Sequence, residues 1–247
     1  MKPTTYTITI EQQDVDLTFR TSIATLICKV LNTAGLDAES KGFGVGELNK
    51  ENYTWVLSRF AIEVDYLPRA FETIYVTTWI GDYRRLISTR NFTISNSEGR
   101  VIGGAVSQWC MLDLSTRKAI DLTKLHKNYE DYILSDIPSP IAPPHKISAV
   151  DDTTVSHSHK AVYSDIDFNR HVNAIRYIDL MLDRVAMDRL ESEQPLRVDL
   201  QYINECYFGD TLNVEYEQRD NSALFEIRRN NECSAVKCAI EWRESKI

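Results

Sequence analysis

SDIDFNRHVNAIRYIDLMLD, residues 164–183, changes its period midway. Asp165, Asp167, Asn169 and His171 stand at every second position, the spacing of an extended segment whose side chains share one face. Val172, Ile175, Ile178, Leu182, Val185 and Ala186 then recur at three and four, which is one face of an α-helix. The pattern predicts a buried helix entered from an extended segment, with acid, amide and imidazole at its mouth. Asp167 or Asn169 is the expected N-cap, since Asp and Asn are favoured there.

The same plan occurs earlier. Residues 15–31, VDLTFRTSIATLICKVL, run from a short alternating segment into a helical pattern expected to cover 20–38. Setting Asp16 against Asp165 gives an offset of 165 − 16 = 149. Downstream, IEVDYLPRAFETIYVTTW (62–79) resembles LQYINECYFGDTLNVEYE (200–217), and Thr73 against Thr211 gives 211 − 73 = 138. The first half then holds an extra 149 − 138 = 11 residues, expected to include GFGVG at 42–46. Four of the seven prolines fall in SDIPSPIAPPHK, 135–146. Proline fixes φ and lacks a backbone donor, so this segment is expected to be an extended linker. The expected organisation is an N-terminal half over 1–134, a linker over 135–147 and a C-terminal half over 148–247.

Strand-like segments follow each helix: 54–66, 72–80, 85–95 and 101–113, then 196–205, 211–218, 222–229 and 233–243. NSEG at 96–99 should turn a hairpin. A helix followed by an antiparallel meander belongs to the α+β class, a sheet wrapped around its helix. Two such units can join their sheets edge to edge and so remove exposed edges.

Composition narrows the function. Hydrophobic residues make up 43% and charged residues 26%, with net charge −8 and pI near 5.2. An acidic chain is a poor nucleic-acid binder. Five scattered cysteines without a CxxC suit a reducing cytoplasm, and MKPTTYTITIEQQ has no signal-like apolar run. IATLIC, 23–28, is too short to span a membrane.

A second polar group lies in YINECYFGD, 202–210, where Asn204, Glu205 and Cys206 end an apolar strand. At offset 149 the first half has Thr18, Arg20 and Ser22 in place of Asp167, Asn169 and His171. At offset 138 it has Leu67 in place of Glu205. One half therefore keeps the scaffold without the acid–base groups, as expected if it shapes a pocket while the other does chemistry.

These motifs carry a family resemblance. WVLSRFAIEVDYLPRAFETIYVTTW, RNF and AVSQWCMLDLSTRKAIDL in the first half, with SDIDFNRHVNAIRYIDLMLD and YINEC in the second, resemble the acyl-acyl-carrier-protein thioesterases of plants and bacteria. The DxNxHVN string is specific to that family, although Ala174 stands where the family often has a further Asn. The resemblance implies a double hot-dog fold, two antiparallel sheets each wrapped around a central helix. It implies hydrolysis of acyl thioesters on acyl carrier protein in fatty acid biosynthesis. The N-terminal half would shape the acyl pocket, and the catalytic residues would be Asp167, Asn169, His171 and Glu205; because that half lacks these groups, its helix, 20–38, is expected to line the cavity. The arrangement also allows a homodimer.

A thioester has a good leaving group, so neither metal nor cofactor is required. Glu205 can serve as general base toward water. Asn169, His171 and the helix N-terminus can orient water or polarise the carbonyl. Asp167 can fix its neighbours or attack directly. Cys206 with His171 and Asn169 offers a rival nucleophilic set. Adjacent strand residues face opposite ways, however, and Glu205 is the favoured partner of His171. A hot-dog dehydratase and a non-catalytic acyl-binding protein are the alternative functions.

Other features have plain readings. GFGVG lacks the GKS/T ending of a phosphate loop and reads as a turn. HSH, 157–159, lacks an accompanying ligand set and reads as an exposed strand rather than a metal site. YRR at 83–85 with Arg90, and EIRR at 226–229, read as solvated strand faces or a docking patch for the acidic carrier.

Overall fold

The computed structural model describes residues 2–124, 129–150 and 156–244, with nothing placed on the side chains of Lys124 and Ser156. In chain order the main elements are β1 (Thr4–Thr9), α1 (Ile23–Ser40), α2 (Val45–Leu48), β2 (Tyr53–Val64), β3 (Thr73–Tyr83), β4 (Ser88–Asn96) and β5 (Val101–Asp113). Then come β6 (Ser156–Lys160), α3 (Ala174–Leu182), α4 (Met187–Ser192), β7 (Glu193–Tyr202), β8 (Thr211–Gln218), β9 (Ser222–Arg229) and β10 (Cys233–Glu244). Ten strands form one antiparallel sheet in the order β1-β3-β4-β5-β2-β7-β10-β9-β8-β6. The pairing of β2 with β7, Arg59–Glu63 against Arg197–Gln201, fuses the two helix-wrapping units. That is the double hot-dog arrangement. The 138-residue offset maps Ala61 onto Asp199, and these two are register partners. A pseudo-twofold axis therefore passes between them. No helix of the described residues is long and apolar enough to cross a membrane.

The helices form because each has a cap and an apolar stripe. Ser22 Oγ accepts the Thr25 N–H at 3.1 Å, satisfying an otherwise open donor at the start of α1. Ile23, Leu26, Ile27, Val30 and Ala34 then face inward. Gly42, at φ 78°, ends α1 by adopting the left-handed conformation that glycine tolerates best. The inner face of α3 supplies Tyr177, Ile178 and Met181. Both helices share one continuous core with Phe60, Ile62, Phe92, Ile94, Val198, Leu200, Phe225 and Ile227 of the sheet. Each such side chain contributes about 1.5–3 kcal/mol by leaving water.

Two expectations are corrected, and one strand was not foreseen. Asn173 caps α3, its Oδ1 accepting the Ile175 N–H at 2.9 Å; neither Asp167 nor Asn169 does so. The helix ends at Leu182 rather than running through Ala186. Its end tightens into three-residue hydrogen bonds, Arg184 N–H to Met181 O and Val185 N–H to Leu182 O, which breaks the helical phase. The edge strand β1 had no counterpart in the sequence reading.

Chain 135–150 crosses the back of the sheet. Pro140 lies against Gly104, where a Cβ would meet the ring at 2.9 Å. Proline-rich backbone is rich in acceptors and poor in donors. The buried Arg197 supplies donors, bonding Ala142 O at 3.3 Å and Pro143 O at 3.0 Å, while Asp199 accepts the His145 N–H at 2.7 Å. Arg197 and Asp199 pair with each other at 2.6 Å, and Arg197 also pairs with Glu63.

Candidate active site

The segment before α3 is a tight hairpin. Ile166 bridges Val172, and the Asp167 N–H donates to His171 O at 2.8 Å. Inside the loop, Asp167 Oδ1 accepts the N–H of Asn169 at 2.8 Å and of His171 at 3.2 Å. Arg170 adopts φ 66°, the left-handed conformation needed to close it. A short side-chain acceptor at 167 thus explains why the chain can turn here.

The hairpin docks on the segment after β7. Val172 N–H donates to Cys206 O at 2.8 Å, and His171 bridges Tyr207. This places His171 Nε2 at 3.5 Å from Glu205 Oε2, longer than a direct hydrogen bond. The imidazole meets the Tyr207 ring edge-on, with centroids 5.1 Å apart. Tyr207 Oη donates to Glu205 Oε2 at 3.1 Å. Burial, then the negative charge of Glu205, push the Tyr207 phenol above its ordinary value, so it is a donor at neutral pH. Arg117, in the turn after β5, pairs with Glu205 Oε1. Arg229 supports the same segment from below, Nη1 donating to Glu205 O at 2.9 Å.

The hairpin carrying Asp167, Asn169 and His171 therefore packs at one corner beyond the end of β7, where His171 faces Glu205. His171 and Glu205 are partly exposed, at 19% and 27%. Cys206 is fully buried in the core. Burial pushes its thiol up to about 11, Tyr177 being its hydrogen-bond partner. Glu205 and Cys206 lie beyond the last residue of β7, Tyr202, rather than on the strand. Their side chains nonetheless occupy different sides of the chain, one in the core and one at the corner.

Arg117 and Tyr207 were missed by the sequence reading. Tyr207 stands two residues after Glu205, in the same irregular segment beyond β7, which carries no alternation signal. Arg117 carried none, because its contact depends on how the halves join.

The structure also corrects the internal alignment. Val15 bridges Thr21 as Ile166 bridges Val172, Phe19 at φ 63° matches Arg170 at 66°, and the cap Ser22 matches Asn173. Each pair is 151 residues apart, as in 173 − 22 = 151. The first half thus carries 151 − 138 = 13 extra residues, not 11. Asp16, Thr18 and Arg20 take the places of Asp167, Asn169 and His171. Asp16 Oδ1 accepts the Thr18 N–H at 2.8 Å, the same turn that Asp167 makes. Leu67 remains the counterpart of Glu205, and Arg20 bridges Arg69 as His171 bridges Tyr207.

The secondary features resolve as follows. His159 Nε2 lies 2.7 Å from Asp165 Oδ2, and Arg176 Nε bonds the other carboxylate oxygen at 2.7 Å. Burial alone would raise the Asp165 carboxyl, but the Val162 N–H, His159 and Arg176 outweigh it and hold it below its ordinary value. Arg90 is not a solvated strand residue. It is 4% exposed and donates to buried Asp37 at 2.6 Å. Arg228 pairs with Glu215 and Glu226. Among the described residues no group of three or more His, Cys, Asp or Glu gathers to hold a metal ion.

Comparison with known proteins bears on the family and the fold. The acyl-ACP thioesterase N-terminal domain matches residues 2–128 and the acyl-ACP thioesterase C-terminal domain matches residues 147–244. A crystal structure of an acyl-ACP thioesterase from Bacteroides thetaiotaomicron is 37% identical, with TM-score 0.91 and 98% of each chain covered. The 12:0-ACP thioesterase from Umbellularia californica has TM-score 0.89 at 20% identity, again over 98% of each chain, a likeness of fold. The chloroplastic palmitoyl-acyl carrier protein thioesterase of Gossypium hirsutum is 31% identical over 180 residues, 70% of this chain and 43% of that protein. The chain spans about half the length of the curated relatives it matches.

Proposed function

The chain belongs to the acyl-ACP thioesterase family, and from that premise we propose that it hydrolyses the thioester of acyl-acyl carrier protein, releasing free fatty acid and ending chain elongation. The observation that carries this reading is the approach of His171 to Glu205 at 3.5 Å on the partly exposed corner, with Cys206 turned away into the core. Glu205 takes a proton from water as the oxygen attacks the thioester carbonyl. Asn169 and His171 face the developing oxyanion or the departing sulfur, and the C–S bond breaks with the proton passing to the thiolate. Asp167 acts by positioning. Its Oδ1 already accepts two backbone N–H bonds, which disfavours it as a nucleophile and supports direct attack by water.

Arg117 and Tyr207 hold the Glu205 carboxylate by charge and hydrogen bond, which fixes the base against its water. We assign the acyl chain to the interior beside α1, whose half lacks the acid–base set. The five free thiols support a cytoplasmic location. The test sets acyl-ACP, acyl-CoA and a 3-hydroxyacyl-ACP side by side with the wild type and Glu205→Gln. Hydrolysis by the wild type, lost in the variant, is the expected result. Dehydration without hydrolysis would establish the dehydratase alternative instead.

A further inference from the structure

The corner related to the catalytic one by the pseudo-twofold axis is not filled in. It holds a cavity of about 200 Å³ whose walls include Arg20, Asp65, Tyr66, Leu67, Arg69 and Arg100. The substitutions across the axis change its chemistry in one direction. Arg20 stands for His171, Leu67 for Glu205 and Arg69 for Tyr207. An acid–base corner has become a cationic one with an apolar wall. Arg20, Arg69 and Arg100 bring three guanidiniums to its walls, and Asp65 brings the one carboxylate among the lining residues.

The site is built rather than loose. Arg20 Nε donates to Thr18 Oγ1 at 2.8 Å, and its Nη2 donates to Leu190 O and Glu191 O at 3.3 Å, which anchors the guanidinium to α4. Buried Gln194 donates to Asp65 O at 2.9 Å and fixes the opposite wall. Arg100 is only 3.8 Å from Asp65, a long pair that leaves its donors in water. Guanidinium forks match tetrahedral oxyanions bidentately, and Arg69 and Arg100 bring two exposed ones to the cavity beside the anchored charge of Arg20. The volume exceeds that of bare phosphate, and Tyr66 and Leu67 offer a surface for carbon.

We propose that this cavity binds a phosphate dianion, either inorganic or carried on a small organic molecule. The inference does not depend on the reaction assigned to the other corner. Calorimetric titration of the full chain tests it with inorganic phosphate, 4′-phosphopantetheine and unphosphorylated pantetheine. Saturable 1:1 binding of phosphate is expected, weakened at least about tenfold in Arg69→Gln/Arg100→Gln, the scale of losing charge-assisted hydrogen bonds. Both replaced side chains are exposed, so folding, checked by circular dichroism, should hold. Phosphopantetheine binding tighter than phosphate assigns the organic phosphate. Equal affinities assign the free anion. Arg117→Gln should leave the affinity unchanged, since Arg117 lies at the catalytic corner. No saturable binding by the wild type, equal affinity in the double variant, or loss in Arg117→Gln would each overturn the proposal.

Discussion

Glu205 and Cys206 are neighbours, and substituting each separates two mechanisms. Burial pushes the Cys206 thiol up to about 11. At pH 7.5 its thiolate fraction is then about three in ten thousand, against about three in a hundred for a thiol at the ordinary value. That is a loss of about 100-fold in reactive species before the closed packing around the sulfur is counted. Glu205→Gln removes the base while keeping shape and the Tyr207 contact, so kcat should fall by about 10²–10⁴. Arg117, the charge left behind, is 38% exposed, so the stability cost should stay within about 1 kcal/mol. Cys206→Ala deletes one buried sulfur and should cost about 1 kcal/mol of stability with most activity retained. The assay is steady-state release of fatty acid from acyl-ACP across pH 6–10, with circular dichroism on each variant and iodoacetamide treatment of the wild type. A thiol nucleophile would make the rate climb about tenfold per pH unit through that range. A folded but dead Cys206→Ala beside an active Glu205→Gln would refute the reasoning.

Arg117→Ala should lower kcat about tenfold to a hundredfold with little change in KM, because the Glu205 carboxylate loses its fixed position; the split between the two constants checks it. Asp167→Ala leaves the Asn169 and His171 N–H groups without their acceptor and should cost about 1–3 kcal/mol in urea unfolding, with a fall in kcat. Asp165 is held below its ordinary value in the fold, so its stabilisation is fully present above about pH 4 and is lost as pH falls through its native value. The gap in unfolding free energy between wild type and Asp165→Asn should therefore be constant near neutrality and shrink in acid. Arg197→Ala should cost about 3–5 kcal/mol by leaving Asp199 buried without its partner, read as a lowered Tm.

The fold was legible because its signals are local. Period 3.6 against period 2 located both helices and eight of the ten strands among the described residues, and HSH was read as a further strand. The register of the repeat was harder. Pairing Asp16 with Asp165 suggested an offset of 149, whereas 151 pairs Asp14 with Asp165 and Asp16 with Asp167. What fixes 151 physically is the left-handed residue closing each hairpin. That residue is Phe19 in one half and Arg170 in the other, neither being the glycine or asparagine that would announce it. In the same way, Asp167 reads as a helix cap until Asn173 is seen in that role. Catalytic candidates from YINEC and DxNxHVN were readable by motif. Arg117 was not, since it reaches Glu205 across 88 residues through the pairing of β2 with β7.

The corrected register bears on why one corner carries the proposed chemistry. Asp16 makes the same turn as Asp167, so the backbone that presents the key side chain is intact in both halves. What differs is the presented residue and its surroundings. At the catalytic corner an imidazole faces a carboxylate whose charge is matched by Arg117, and both stay in reach of water. At its counterpart the presented guanidinium is tied to the carbonyls of α4, and the facing position is Leu67, only 5% exposed. A carboxylate set there would start from a buried position and would meet Arg20, a cation that cannot give up its proton near neutral pH. No general base and acid pair can form from those groups. The pseudo-symmetry thus duplicates the scaffold while charge and burial confine the proposed proton transfer to the second half, leaving the first corner suited to holding an anion rather than cleaving a bond.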